Sequence, residues 1–400
     1  MLQHTKENRM RVITITLGLA GALAVAMSGA LVAKNPAPTA AKGPRFLHIG
    51  PLTVGPNDTL FAADSQDVSV YALQLGTFAQ GGAAGTKDVS ALDQQIAALL
   101  GTDAASITIT DMAVLPTSHN TVVSVMRGQG ASAKPALLRV DGAGKIVNVP
   151  LAELTYSKVK LPNPPGTTTA FKLGQREFVV PNYPDRPKTD DRIMNLFGTQ
   201  TITDMAFSDG VLYVSGLSNE EFASKLRVIP YPFKTVDNGT SVEIWHASHG
   251  QFETRSPIYS FVPYTINGVP HLIASYLCTP LVKFPIAALK PGADVRGVTI
   301  GEFGNQNRPL DMVVYNKDGK EFILMSNNTR GVMKVPTGEF GSTEPILKRA
   351  QNTDRVGVVP EGLPAFKGIE QLDLLDATHG IVLARNAENG SVNLQAIDLP

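Results

Sequence analysis

TITDMAVLPTSHNTVVSVMRG at 108–128 and TITDMAFSDGVLYVSGLSNEEFASKLRVIPY at 201–231 open on the same six residues. Both then run through a polar turn, a second apolar strand ending in a polar loop, and a third strand. Four further segments keep this order: GPLTVGPNDTLFAADSQDVSVYALQL (50–75), IYSFVPYTINGVPHLIASYLCTPLVKFPI (258–286), PLDMVVYNKDGKEFILMSNNTRGVMKVP (309–336) and GIEQLDLLDATHGIVLARNAENGSVNLQAIDLP (368–400). Asn57-Asp58, Asp209-Gly210, Asn267-Gly268, Asp318-Gly319 and His379-Gly380 fall where each hairpin needs positive φ.

Repeats of this size built from short strands predict an all-β fold, a β-propeller of four-stranded blades around a central channel. Aligned on the turns, the inner-strand position is Leu52, Asp111, Asp204, Ser260, Asp311 and Gln371. From Asp111 to Asp204 the interval is 93 residues, against 51 to 60 elsewhere. The excess falls at 152–200, a Pro-rich insertion with one hairpin-like stretch, AFKLGQREFVVP (170–181). The reading is six blades plus an insertion, with a seventh, degenerate blade as the alternative. The last repeat offers three strands, so RFLHIG (45–50) is expected to pair with it and close the ring. VSALDQQIAALLG (89–101) spaces Leu92, Ile96, Leu99 and Leu100 as a helix inserted at 88–101, with Ser90 as N-cap and Gly101 as the stop.

LTVGPNDTLFAADSQDVSVYALQL (52–75), with LFAAD at 60–64 and LYVSG at 212–216, resembles one repeat of the NHL/YVTN/SMP-30-like propellers. As a pattern the resemblance covers most of 45–400. It implies the propeller fold and speaks weakly to function, because propellers host many activities.

The chain begins with Lys6, Arg9 and Arg11 ahead of an apolar run from Val12, and Ser28-Gly29-Ala30 supplies small residues for cleavage. This is the layout of a secretory signal over 1–30, or of an uncleaved anchor reaching residue 33. A Pro/Ala-rich tether at 31–44 leads to a single domain at 45–400. A periplasmic or secreted domain is expected, touching membrane only through the N-terminal segment if that is kept. With 35 basic and 35 acidic residues the formal charge is zero, which removes the electrostatic case for a nucleic-acid binder. One cysteine excludes an internal disulfide framework.

Candidate binding residues lie in the loops joining each second and third strand, on one polar face: Asp64, Arg127, Asn219, Glu220, Asn327 and Arg330. Asp111, Asp204 and Asp311 are expected to ring the channel. They either hold a hard cation such as Ca²⁺ or accept backbone hydrogen bonds from the neighbouring blade. Their charge needs compensation by Arg127, Arg330, Arg385, water or a metal. His246 and His249 stand three apart in what reads as strand, which puts them on opposite faces. Cys278 reads as a small buried apolar side chain.

CxxCH, GxSxG, GxxxxGK[ST] and HExxH are all absent. No covalent c-type haem is therefore expected, and the single Trp245 argues against PQQ. Three functions remain. The first is a binding scaffold whose polar face takes a small molecule, peptide or partner protein. The second is a metal-dependent hydrolase, for which resemblance to SMP-30-type lactonases implies Glu220, Asn327, Asp204 and Asp311 as ligands by residue type. The third is a redox propeller partner.

Overall fold

The computed structural model describes residues 41–80, 82–164, 170–173, 176–179, 200–220, 222–278, 280–351 and 354–400. The segment read as a signal or anchor, most of that read as a tether and most of that read as the 152–200 insertion lie outside these residues. No helix among the described residues is long and apolar enough to cross a membrane.

Six small antiparallel sheets form the blades of a β-propeller. Their inner strands are Leu52–Val54, Ile107–Val114, Asp204–Ser208, Ile258–Ile266, Pro309–Lys317 and Ile369–Leu374, one per sequence repeat. Each pairs with the strand after its hairpin, and that strand with the next. The turns explain the register. Asp209 and Gly210 have φ of 50° and 77°, and Asp318 and Gly319 have 53° and 73°, conformations that suit tight hairpins. His379-Gly380 does not turn. The chain reverses at 375–378, where Asp376 Oδ1 accepts the N–H groups of Thr378 and His379, and both expected turn residues belong to the strand His379–Arg385.

The middle strands are apolar on both faces because a blade lies between two neighbours. In Val211–Leu217, Leu212 and Val214 pack with Phe61, Val70 and Met205 toward the first blade. Tyr213 packs with Phe261, Leu272 and Phe284 toward the fourth. Each such side chain, fully buried, contributes about 1.5–3 kcal/mol.

The blades do not follow chain order around the ring. Their inner strands touch in the cycle first, third, fourth, fifth, sixth, second, and back to first. After the third strand of the first blade, Ser69–Gln74, the chain crosses to the sixth blade. There Val89 bridges Leu394, Asp88 accepts Ala396 N–H and Asn393 accepts Ala91 N–H. The helix Leu92–Leu100 follows, burying Leu92 and Ile96 against the second and sixth blades. Ala91 (φ 49°), not Ser90, precedes it as N-cap, and Gly101 (φ 68°) ends it. The chain then builds the second blade and returns to add Thr155–Lys160 as the outer strand of the first.

The expected closing strand at 45–50 is therefore corrected. This segment is not a strand. Asp64 holds the N–H groups of Leu47 and His48, and Gly50 accepts Ser124 Oγ from the second blade, so it lies between the first two blades. Residues 88–91 reach the sixth blade in its place. Residues 155–160, placed by sequence in the insertion, belong to the first blade. Ala170–Leu173 and Arg176–Val179 pair antiparallel as the sequence suggests.

Candidate functional site

The channel holds the first cluster. A cavity of about 580 Å³ is lined by inner-strand residues of all six blades and ends at the exposed Pro116, His119, Asp376 and Ala377. Asp111, Asp204, Asp311 and Asp373 line it, and among the described residues no lysine or arginine does.

Each of these aspartates first serves the ring. One carboxylate oxygen accepts the next residue's N–H: Met112, Met205, Met312 and Leu374. The other accepts an N–H from a neighbouring blade. Asp111 takes Leu52 at 2.6 Å, Asp204 takes Phe261 at 2.8 Å, Asp311 takes Leu372 at 2.8 Å and Asp373 takes Val114 at 2.7 Å. With its amide nitrogen turned toward them, Gln371 also bonds Asp111 Oδ1 (2.7 Å) and Asp311 Oδ2 (3.1 Å). The sequence offered two readings of these aspartates, and this geometry is the blade-linking one.

Burial raises the pKa of Asp204 to about 7 and of Asp373 to about 6. Asp111 and Asp311 stand well above the ordinary carboxylate range, through burial and through repulsion from the other channel aspartates. None of the expected arginines compensates them. Arg127 donates to Leu100 O, Arg330 to Asn305 O, and Arg385 to Glu370 and Gly390 O. Backbone N–H groups face their oxygens instead.

The loop residues read as a binding face are bonded locally. Asp64 is fully buried and accepts Leu47, His48, Gln66 and Asp67 N–H. Asn219 N–H meets Asn163 O. Glu220 pairs at 2.5 Å with the buried Lys225. Asn327 Oδ1 accepts Thr329 and Arg330 N–H, and its Nδ2 meets Asn307. Asn327 and Arg330 thus share one loop, as do Asn219 and Glu220. The described contacts bring the four loops to no common partner.

The second cluster was not expected. The strand Thr240–His246 ends at His246, and the chain reverses over 247–250, with Gly250 (φ 67°) donating to His246 O. His249 therefore folds back over His246, their ring centroids 3.8 Å apart. The alternation rule fails because His249 is in the turn, not the strand. Glu253 holds both rings, His246 Nδ1 at 2.8 Å and His249 Nδ1 at 2.6 Å. Cys278 arrives from the fourth blade, in the left-handed region at φ 62°, with its N–H on Asn307 O and Gln306 N–H on its sulfur. Ligating atoms of His246, His249 and Cys278 lie within 4.8 Å of one another.

Electrostatics follow. Burial works to raise the Cys278 thiol, but the two imidazoles outweigh it and bring it down to about 6. Cys278 and then Glu253 lift His249 to about 10, and they lift His246 against its burial. The two histidines hold Glu253, despite its burial, far below the usual carboxylate range. Cys278 is buried, as the sequence suggests, with two imidazoles and the Gln306 N–H around its sulfur. The only sequence signal was HxxH beside a turn glycine, with a cysteine remote in the chain.

No protein-family model matches the chain, and no curated protein matches it. Among solved structures, it is similar to the β-propeller domain of Myceliophteria thermophila Cps50 (Swd1). Identity is 9%, TM-score 0.34, covering 91% of this chain and 100% of that one. It is also similar to the PQQ-bound aldose sugar dehydrogenase of Streptomyces coelicolor, at 11% identity and TM-score 0.30, covering 90% of this chain and 99% of that one. Neither likeness carries an argument about function.

Proposed function

We propose that this is an exported propeller of the NHL/YVTN/SMP-30-like kind that acts as a binding protein, and that its channel takes a small cationic molecule. One observation carries the reading: a cavity of about 580 Å³ lined by four half-buried aspartates and, among the described residues, by no lysine or arginine. An ammonium group placed there restores the ionised form that burial disfavours. The basic and apolar N-terminus supports export. The hydrolase reading gains no support from the loops, since Glu220 is engaged by Lys225 and Asn327 by its own turn.

The test is calorimetric titration of the full chain with putrescine, choline, ethanolamine and Ca²⁺ at pH 6 and pH 8. At least one ligand should bind, tighter at pH 8, because Asp373 and Asp204 ionise through about 6 and about 7. Asp204→Asn should weaken it tenfold or more. Binding by none of them, or binding indifferent to Asp204→Asn, would remove the channel reading.

A further inference from the structure

Two imidazoles and a thiol meet at the end of the strand Thr240–His246, away from the channel residues. Three observations there point to a ligand. Glu253 occupies Nδ1 of both His246 and His249, which leaves each Nε2 for another partner. A carboxylate behind the imidazole is the usual outer shell of a metal-bound histidine, since it sets the tautomer and raises the basicity of the ligating nitrogen. Ser256 Oγ fixes Glu253 in turn. Second, the His246 side chain is 1% exposed and its Nε2 is buried with no hydrogen-bond partner. An orphaned buried nitrogen is costly unless something binds it. Third, Cys278 is held in a left-handed conformation that only its surroundings justify, with Gln306 N–H directed at its sulfur.

We propose that His246, His249 and Cys278 bind a divalent metal ion of the zinc class. The donor set selects the ion. Imidazole and thiolate suit zinc and its borderline neighbours, whereas Ca²⁺ and Mg²⁺ take oxygen ligands. Bonds of about 2.3 Å to sulfur and about 2.0–2.1 Å to nitrogen place tetrahedral ligand atoms roughly 3.3–3.6 Å apart. One ligand atom from each of the three residues already lies within 4.8 Å of the others. His249 is exposed, so the ion enters from solvent. Three protein ligands leave a fourth position. Glu302, on the strand that pairs with Pro280–Pro285, accepts Ser248 N–H and has its Oε1 buried without a partner. A water or Glu302 completes the shell.

The experiment uses the full chain, stripped with a chelator and then loaded with Zn²⁺ or Co²⁺. One zinc per chain should survive desalting. The cobalt form should show a thiolate-to-cobalt charge-transfer band and the visible bands of a tetrahedral ion. Cys278→Ser, nearly isosteric, should lose the charge-transfer band. His249→Ala, at an exposed position that spares the fold, should weaken Zn²⁺ binding at least tenfold. Glu253→Gln should keep the band but weaken binding 10–100-fold, as expected for a positioning residue. Asp204→Asn should leave the cobalt spectrum unchanged, which separates this site from the channel. No charge-transfer band in the wild type, or a band that persists in Cys278→Ser, would overturn the proposal. So would metal-free protein whose Cys278 alkylates rapidly in iodoacetamide at pH 7 without protection by Zn²⁺, a result that would instead mark a nucleophilic thiol.

Discussion

The carboxylate of Asp373, on the inner strand of the sixth blade, accepts the backbone N–H of Val114 on the second at 2.7 Å. These two blades are neighbours in the ring although 259 residues separate the bonded groups. The bond recurs between other pairs, from Asp111 to Leu52, Asp204 to Phe261 and Asp311 to Leu372. Half-buried aspartates lining the channel are the clips between blades.

Removing a clip should therefore cost stability. Asp373→Ala strands two N–H groups, of Val114 and Leu374. At about 1–3 kcal/mol for each unpaired donor, the loss is about 2–6 kcal/mol. Asp373→Asn keeps one acceptor oxygen and should lose about half as much. Chemical denaturation of the two variants checks this ordering, and an alanine variant as stable as wild type contradicts it.

The same residues set a pH dependence. Asp204 and Asp373 titrate at about 7 and about 6 in the fold, and Asp111 and Asp311 are also raised. A carboxyl that binds its proton more tightly folded than unfolded stabilises fully below its ordinary pKa near 4. It loses that contribution as pH rises through its folded pKa. The melting temperature should fall between pH 4 and pH 6, and Asp373→Asn should flatten the fall. A rise over that window in the wild type would mean that other groups dominate.

Glycines divide by surroundings. Gly368 has φ 68°, and a Cβ there would sit 2.3 Å from the Arg385 carbonyl oxygen, which belongs to backbone and cannot swing away. Gly210 has φ 77° with nothing within 4 Å. Gly368→Ala should cost more than ~2 kcal/mol, left-handed strain plus overlap. Gly210→Asn should cost less than ~1 kcal/mol, since asparagine tolerates that conformation in an open turn. Equal losses, measured by thermal unfolding, would refute the distinction.

The repeat made the blades readable in advance. TITDMA occurs twice because Asp111 and Asp204 do the same work in two blades, and Asp311 does it in a third. Asp373 escaped the alignment, which selected Gln371 two residues earlier. Its role depends on which blade stands beside it.

Local chemistry, carried in the order of residues, determined six hairpin repeats, turns such as Asp209-Gly210 and Asp318-Gly319, and the apolar strands that must stack. Those features depend on neighbours close in the chain, so the sequence by itself suffices for them. Tertiary structure decided the rest. It placed the second blade against the sixth, gave Val89 rather than residues 45–50 to the last blade, and brought Cys278 to His246 and His249. Each depends on groups far apart in the chain whose meeting follows from how blades pack. A strand period or a turn signal holds no record of such a meeting.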